Sequence, residues 1–582
     1  MIMRGRRPLG VRGGWVAASV LLASGAIAPQ VMAQTASQIT PPTYAPQPAQ
    51  TRPPILLPES GSATAPLGAE TLDITLADVV VDGGAPDPVA LAELKARLVG
   101  RPIKVSEIFA AARALEADYA RAGHVLRRVV VPAQRLEDGA TLRIAVVEGY
   151  IESIDTSRVP QRQRARVARL LAPMVGMHDL SMATIERRLL LAGDTPGVLL
   201  RSTLAAGGAP GATVMVVEAT TRPVSGFLAY DNSLASGLGR DSYGFGLDLN
   251  SVLGLGEQVY VRVSGLPSQG ETGFSASTPR NRALAGGLII PIGDDGLSFN
   301  LEGVDARTAP KHPAALPGFA SRFQRISGRL SYPFIRSRAL TLSGELAFDA
   351  QNERLNIVAP LTLPLSQDRL RIFRLAGAVS ARLPSDGTVN ARIEGALGID
   401  GLGARSAADA TPTQPLSRQG ADAAFEKLEL QVALDQPLAT HLFVAVAARA
   451  QTAFGQAMAN AEQFGIATSD GISPLPSGQV QGDGGYVVRA EMRAPFAFDL
   501  GAGRGQIAPY VFGAVGGVHL AQPTVFERRE TTAHAYGVGV RVAGVVADGA
   551  PGLSAGVEYG RAEVQGLPRE TERLGVFVSL RF

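Results

Sequence analysis

Beyond about Arg222, apolar and polar residues alternate at every second position for most of the remaining chain. Val259, Val261 and Val263 oppose Gln258, Tyr260 and Arg262. Leu340, Leu342, Leu346 and Phe348 oppose Thr341, Ser343 and Glu345; Leu428, Leu430, Val432 and Leu434 oppose Lys427, Glu429 and Gln431. A period of two sends one set to each face of a strand. Arg, Glu, Lys and Gln on the second face imply a wet interior if the first faces lipid. About sixteen such segments can be counted, an even number within the bacterial range, which returns both ends of the sheet to one side. No later apolar run approaches spanning-helix length, so a membrane form must be a closed barrel, where every backbone group finds a partner. The expectation is a transmembrane β-barrel of about 16 antiparallel strands over residues 223–582.

Upstream the period changes to that of helices. Leu72 to Val81 predicts a strand, and Pro88 opens a helix carrying Val89, Leu91, Leu94 and Leu98. A second helix places Ile108, Ala111, Ala112, Leu115 and Tyr119 on one face. Strands follow at Arg127 to Pro132 and Thr141 to Val147, joined through the turn residues Glu137-Asp138-Gly139. The order then recurs: a strand from Gly149 to Asp155, helices at Arg162 to Leu171 and Met182 to Leu191, and strands at Val198 to Leu204 and Thr213 to Val217. Two β-α-α-β-β units, 69–148 and 149–222, form an internal repeat.

The amino terminus changes the picture of location. Arg4, Arg6, Arg7 and Arg12 precede an apolar run from Trp15 to Ala28, followed by Val31-Met32-Ala33. This pattern predicts a signal peptide over 1–33, and the run is shorter than the roughly 20 residues of a membrane span. Residues 34–68 hold Pro41-Pro42, Pro46, Pro48 and Pro53-Pro54 and predict an extended, semi-rigid periplasmic linker.

Composition removes several function classes. Charged residues make up 18% of the 582, against a soluble average of roughly 25%, and 66 are glycine. A formal charge of +3 gives no argument for nucleic acid. With no cysteine, thiolate catalysis, disulfides and Cys-type zinc sites are excluded. No Gly-rich phosphate loop, HExxH or nucleophile elbow occurs, and the six histidines are scattered. No enzyme, cofactor or metal is expected. Two features remain. Thr452 to Asp483 is the longest stretch without alternation, lying between the eleventh and twelfth strands, and a loop of that length is functional or disordered. Arg158, Arg162, Arg164, Arg166 and Arg169, with Arg187 and Arg188, make the second unit's helices basic. They form either a solvated face or a docking surface for an acidic partner or phospholipid head groups.

The stretch from Tyr119-Ala-Arg-Ala-Gly123-His through Pro132-Ala-Gln134 and Glu148-Gly149-Tyr150-Ile151 resembles the first periplasmic POTRA domain of the two-partner secretion transporters, the outer-membrane haemolysin secretion/activation family. Asp194-Thr-Pro-Gly197, Asp231-Asn232, Asn250 to Gly256 and Gly482 to Arg489 are similar to further family segments in matching order. A final strand with Leu574, Val576, Val578, Leu580 and the terminal Phe582 on one face is similar to the assembly signal of bacterial outer-membrane barrels.

The resemblance implies that periplasmic domains capture an unfolded exoprotein, similar to filamentous haemagglutinin or haemolysin, and pass it through the barrel as loop six withdraws. It implies client-binding residues at Tyr119, Gly123, Pro132, Gln134, Glu148, Gly149 and Tyr150. It implies partners in outer-membrane lipid and the barrel-assembly machinery, and a transporter working as a single chain. One departure stands out. The family's loop six carries an Arg that meets an Asp on the barrel wall. Here the nearest match is Ser469-Asp470-Gly471-Ile472, and the wall segment containing Phe512 has Ala514 in the expected Asp position. Loss of both charges is compatible with a docked loop, whereas loss of one leaves the other buried and unpaired. An assembly factor for other barrels and a passive pore stay open as alternatives.

Overall fold

The computed structural model describes residues 34–46, 55–56, 65–83, 88–209, 211–270, 272–499, 503–546 and 552–582. The expected signal peptide lies outside the described residues. Among those residues no helix is long and apolar enough to cross a membrane.

The alternating segments close into an antiparallel barrel of sixteen strands. The first runs Val224–Asp231 and pairs along Phe227 to Asp231 with the last, Thr571–Arg581. Phe582 completes the seam by exchanging backbone hydrogen bonds with Gly226 at 2.9 and 3.0 Å. The twelfth strand is written in two pieces, Gly484–Arg493 and Phe496–Asp499, both paired to the thirteenth, Gly503–His519. Pro495 interrupts it because proline has no N–H to give the ladder. Leu301, Ile326, Leu346 and Leu375 are exposed on the outer face, while Glu302, Arg325, Asp349 and Arg374 point to the lumen.

The first upstream unit has helices α1 (Pro88–Leu98) and α2 (Val105–Arg121) against a three-stranded sheet of Asp78–Asp82, Thr141–Val147 and Arg128–Val130. The strand expected over 72–81 is divided. Asp73–Thr75 pairs instead with Pro102–Lys104, a three-residue strand too short to show a period in the sequence. The second unit has α3 (Gln161–Leu171) and α4 (Met182–Gly193) packed on a sheet ordered Ile55–Leu56, Val198–Ala206, Ala212–Thr221, Tyr150–Arg158. Val125 and Leu126, which follow α2, are buried in the second unit's core, so the two units share a packed joint.

The expected linker departs from a purely periplasmic path. Gln34 to Pro46 lies inside the barrel, with a 3-10 turn at Ser37–Ile39. Ile55–Leu56 joins the edge of Val198–Ala206 as a parallel strand. A Pro-rich segment has no internal ladder of its own, so its backbone groups are free to bond side chains on the barrel wall.

Candidate functional site

The lumen wall is built from the inward positions of the strands, and two segments of the chain fill it. From the amino-terminal segment, Ser37 Oγ donates to Glu353 at 2.8 Å, and Thr43 Oγ1 and the Tyr44 amide donate to Glu302 at 3.0 and 2.8 Å. Arg325 donates to the Pro41 carbonyl at 3.1 Å and Arg329 to that of Pro42 at 2.9 Å. Carboxylates and guanidiniums of a wet wall thus satisfy the polar backbone of a proline-containing segment.

The second occupant is the loop between the eleventh strand, Leu442–Thr452, and the twelfth. Asp483 anchors its base: the carboxylate is fully buried and accepts from the Met458 and Ala521 amides at 2.9 and 2.8 Å. Glu462 holds its middle against the wall, with Arg374 at 2.6 Å and Lys427 at 2.7 Å. Burial alone would push the Glu462 carboxyl up, but the Arg374 and Lys427 charges outweigh it and hold the group at about 2. The two occupants also touch each other. Gln38 donates to Gln481 Oε1 at 2.7 Å, and Gln34 donates to the Ser477 carbonyl.

The loop tip brings together the expected gating and wall residues. Ser469 and Asp470 are exposed, whereas Gly471 and Ile472 are buried. Ile472 shares one apolar cluster with Ile466, Leu475, Phe512 and Ala514. No charge crosses from Asp470 to Ala514. Charge is instead concentrated on the wall. Arg489 of the twelfth strand lies over the Phe512 ring, 3.8 Å from its centre, and pairs with Glu491 at 2.7 Å and with Glu558. Ser473 links the loop to this group, accepting from Arg489 at 2.7 Å and donating to Glu558. Tyr510 also donates to Glu558 at 2.8 Å, and Arg541 forks onto Glu491 at 2.7 and 2.8 Å. Removing charge from both loop and wall leaves nothing unpaired, because the wall guanidinium has its own carboxylates.

A closed polar-lined barrel, filled by its own long loop and preceded by α+β units, matches known proteins in a consistent way. The sequence profile of the haemolysin secretion/activation proteins ShlB/FhaC/HecB covers residues 211–542, more than half of the chain, and that of the ShlB-type POTRA domain covers 74–149.

The chain belongs to this family.

It is an outer-membrane transporter of two-partner secretion, a system that implies an exoprotein client. Its POTRA region is periplasmic, as in the family. CdiB from Escherichia coli is similar in fold at 18% identity and a TM-score of 0.65, covering 90% of this chain and 94% of that one. CdiB from Acinetobacter baumannii follows at 12% and 0.56, covering 88% and 90%. BamA from Haemophilus ducreyi, lacking POTRA domains 1–3, is similar at 12% and 0.51, covering 88% and 100%. No curated protein matches the sequence.

In this family member the motif residues expected to touch client fall into two places. Tyr119 is buried under the Arg127 guanidinium, 5.1 Å from the ring centre. Gly123, in the left-handed region at φ +97°, accepts from the Met182 amide of α4 at 2.9 Å. A Cβ on Gly149 would overlap the Leu126 carbonyl. Glu148 is exposed within 3.9 Å of Arg127, and Tyr150 packs on His178 with ring centres 5.1 Å apart. Gly123 and Gly149 lie at the joint between the periplasmic units, with Glu148 beside it, whereas Tyr119 belongs to the first unit's core and Tyr150 packs within the second. Pro132 and Gln134 lie elsewhere; Gln134 closes its loop through two hydrogen bonds to the Arg143 backbone, at 2.7 and 2.9 Å.

Part of the transporter's basic helix surface faces the barrel itself, and not solvent, an external acidic partner or phospholipid head groups. Arg166 pairs with Asp294, Arg187 and Arg188 with Asp295, in the turn between the fourth and fifth strands. Arg336 of the sixth strand returns the contact by forking onto Asp194 at 2.7 and 2.8 Å. The Tyr332 hydroxyl and the Arg187 charge hold the Asp295 carboxyl below its ordinary range. Arg158 instead pairs within its own sheet with Glu218. Nothing in a run of arginines names its partner, because the Asp294-Asp295 turn lies over a hundred residues away.

Proposed function

We propose that the transporter exports its client as an extended chain through the lumen, and that residues 34–46 and loop six together form the gate. The observation that carries this reading is the way the lumen is filled. Both occupants are held mainly by side-chain contacts to a wall that is polar except where the loop-six tip meets its apolar cluster, so their withdrawal opens a path without breaking a barrel strand. Ser473 and the Ile472 cluster set loop six's resting position, with Phe512 and Ala514 as its wall contact. Phe582 serves as the assembly signal, read by the barrel-assembly machinery.

Units 69–148 and 149–222 act as two POTRA domains. Their joint residues, Gly123, Glu148 and Gly149, with Tyr119 and Tyr150 packed on either side, fix the angle at which sheet edges are offered to client. Strand addition suits an unfolded client because main-chain hydrogen bonds ask for no particular sequence. The parallel pairing of Ile55–Leu56 with Val198–Ala206 supports this, since it demonstrates that this edge accepts an added segment. Folding of the client outside supplies the drive, and the client resembles filamentous haemagglutinin or haemolysin exoproteins.

The test removes residues 69–148 and follows the culture medium by proteomics while checking barrel insertion. The expected result is loss of one large exoprotein with the barrel still inserted and heat-modifiable. Normal export by the deletion would contradict client capture. A broad fall in other outer-membrane barrels would point to assembly instead.

A further inference from the structure

Lipid-facing positions of a membrane barrel are apolar at membrane depth, and arginine is tolerated there only near the interfaces. The fourth to eighth strands, Asn281–Ile292, Leu297–Thr308, Gly318–Arg336, Leu340–Ala359 and Leu363–Arg382, break from apolar to basic on that outer face. Arg282, Arg307, Arg322 and Arg354 are successive cross-strand neighbours in one row. Arg369 stands opposite Asn352 in the row beneath, and Arg371 opposite Ala350 one step further down. Their faces follow from register: Leu284, Leu301, Ile326, Leu346 and Leu375, at the same parity on each strand, are exposed.

The height of the patch is set by what lies below it. On the seventh strand the outward face is free of charge from Leu342 to Ala350. Eight residues at ~3.3 Å, tilted by ~40°, rise roughly 20 Å, most of the ~25 Å apolar band of such barrels. Asn352 and Arg354 therefore sit at its upper edge, at the end away from the docked periplasmic units. Asp305 is the patch's carboxylate, and it pairs with Arg307 at 2.8 Å and Arg322 at 2.6 Å. Arg354 and Arg369 are exposed, with no ion-pair partner among the described residues. Across the barrel the same outer rim is mixed in sign: His534 faces Glu563, and Arg561 faces Glu572.

We propose that this outer face of strands four to eight is a binding site for the phosphorylated glycolipid of the outer leaflet, with acyl chains on the apolar face and sugar phosphates on the arginines. A guanidinium meets a phosphate with two parallel donors, and several side by side suit a headgroup bearing more than one phosphate. Phosphate is also available from free anions and from phospholipids, but neither combines two or more phosphates with acyl chains at this height.

The test uses the full-length transporter in detergent and native mass spectrometry with purified lipopolysaccharide, its dephosphorylated form, phosphatidylglycerol or inorganic phosphate. An Arg354→Glu/Arg369→Glu variant is compared with the unchanged protein, and heat-modifiable migration confirms that both barrels are folded. Binding of intact lipopolysaccharide is expected, at least tenfold weaker in the variant and in the dephosphorylated lipid. Millimolar inorganic phosphate and phosphatidylglycerol should leave it bound. Equal binding by variant and unchanged protein would overturn the proposal. So would displacement by inorganic phosphate or phosphatidylglycerol, which would reduce the patch to a general anion surface.

Discussion

Arg489, a residue of the wall, ties the loop-six tip to the charged cluster of the barrel. It is 2% exposed and holds Glu491, Glu558, Ser473 and the Phe512 face together. Arg489→Ala leaves two carboxylates short of a partner, and losing one member of a buried ion pair costs about 3 kcal/mol. Thermal unfolding of the inserted barrel should fall clearly, whereas Ser473→Ala removes hydrogen bonds worth about 1 kcal/mol and should mainly raise channel opening in planar bilayers.

Glu462 gives a pH-dependent counterpart. Its carboxyl is held at about 2 when docked, against 4.5 as the ordinary value. A depressed carboxyl stabilises docking fully above pH 4.5, and that contribution is lost as pH falls through 2. Conductance should therefore stay low from neutral pH to about 4.5 and rise below it. Glu462→Gln should remove this dependence and open more often at pH 7. The sequence displayed the loop's location but not these pairings. Arg489 and Glu491 are legible as inward residues of an alternating strand, while Glu558 lies three strands further along the wall. Alternation assigns a face without assigning a neighbour two or three strands away.

At the scale of elements, the helices of the second periplasmic unit are fastened to the barrel through short turns. Arg166 is nearly buried at its contact with Asp294, while the pairs to Asp295 are half-exposed. Exposed pairs contribute about 0.2–1 kcal/mol each and weaken with salt. Asp294→Lys with Asp295→Lys should thus release the unit without unfolding it. Spin labels on α3 and on the sixth strand, introduced into a chain without native cysteine, should give a broader distance distribution in the variant than in the unchanged protein. An unchanged distribution would show that the remaining contacts, the Arg336–Asp194 fork among them, fix the angle without these pairs. The helices themselves were legible from their 3.6-residue spacing. Pro102–Lys104 was not, since three residues between two helices display no period, and neither was the lumenal course of residues 34–46, where proline suppresses any period at all.

For the whole molecule, the barrel is the part most completely written in local pattern, because each strand must show lipid one side and water the other. What the pattern leaves out is how the lumen is closed, which depends on contacts between segments hundreds of residues apart. The central claim is that loop six leaves its seat for the client to pass. Gly471 and Val487 allow a direct test, since a Cβ at Gly471 would lie 3.1 Å from Val487 Cγ2, so loop tip and wall strand touch there, and the Ile466 carbonyl, 2.6 Å from the same Cβ, must shift to admit a cysteine. The measurement is client export by a Gly471→Cys/Val487→Cys transporter, oxidised and then reduced in the same cells. Export should stop on oxidation and return on reduction, while each single variant exports under both conditions. Undiminished export with the bridge formed would contradict a gate that opens by withdrawal of loop six.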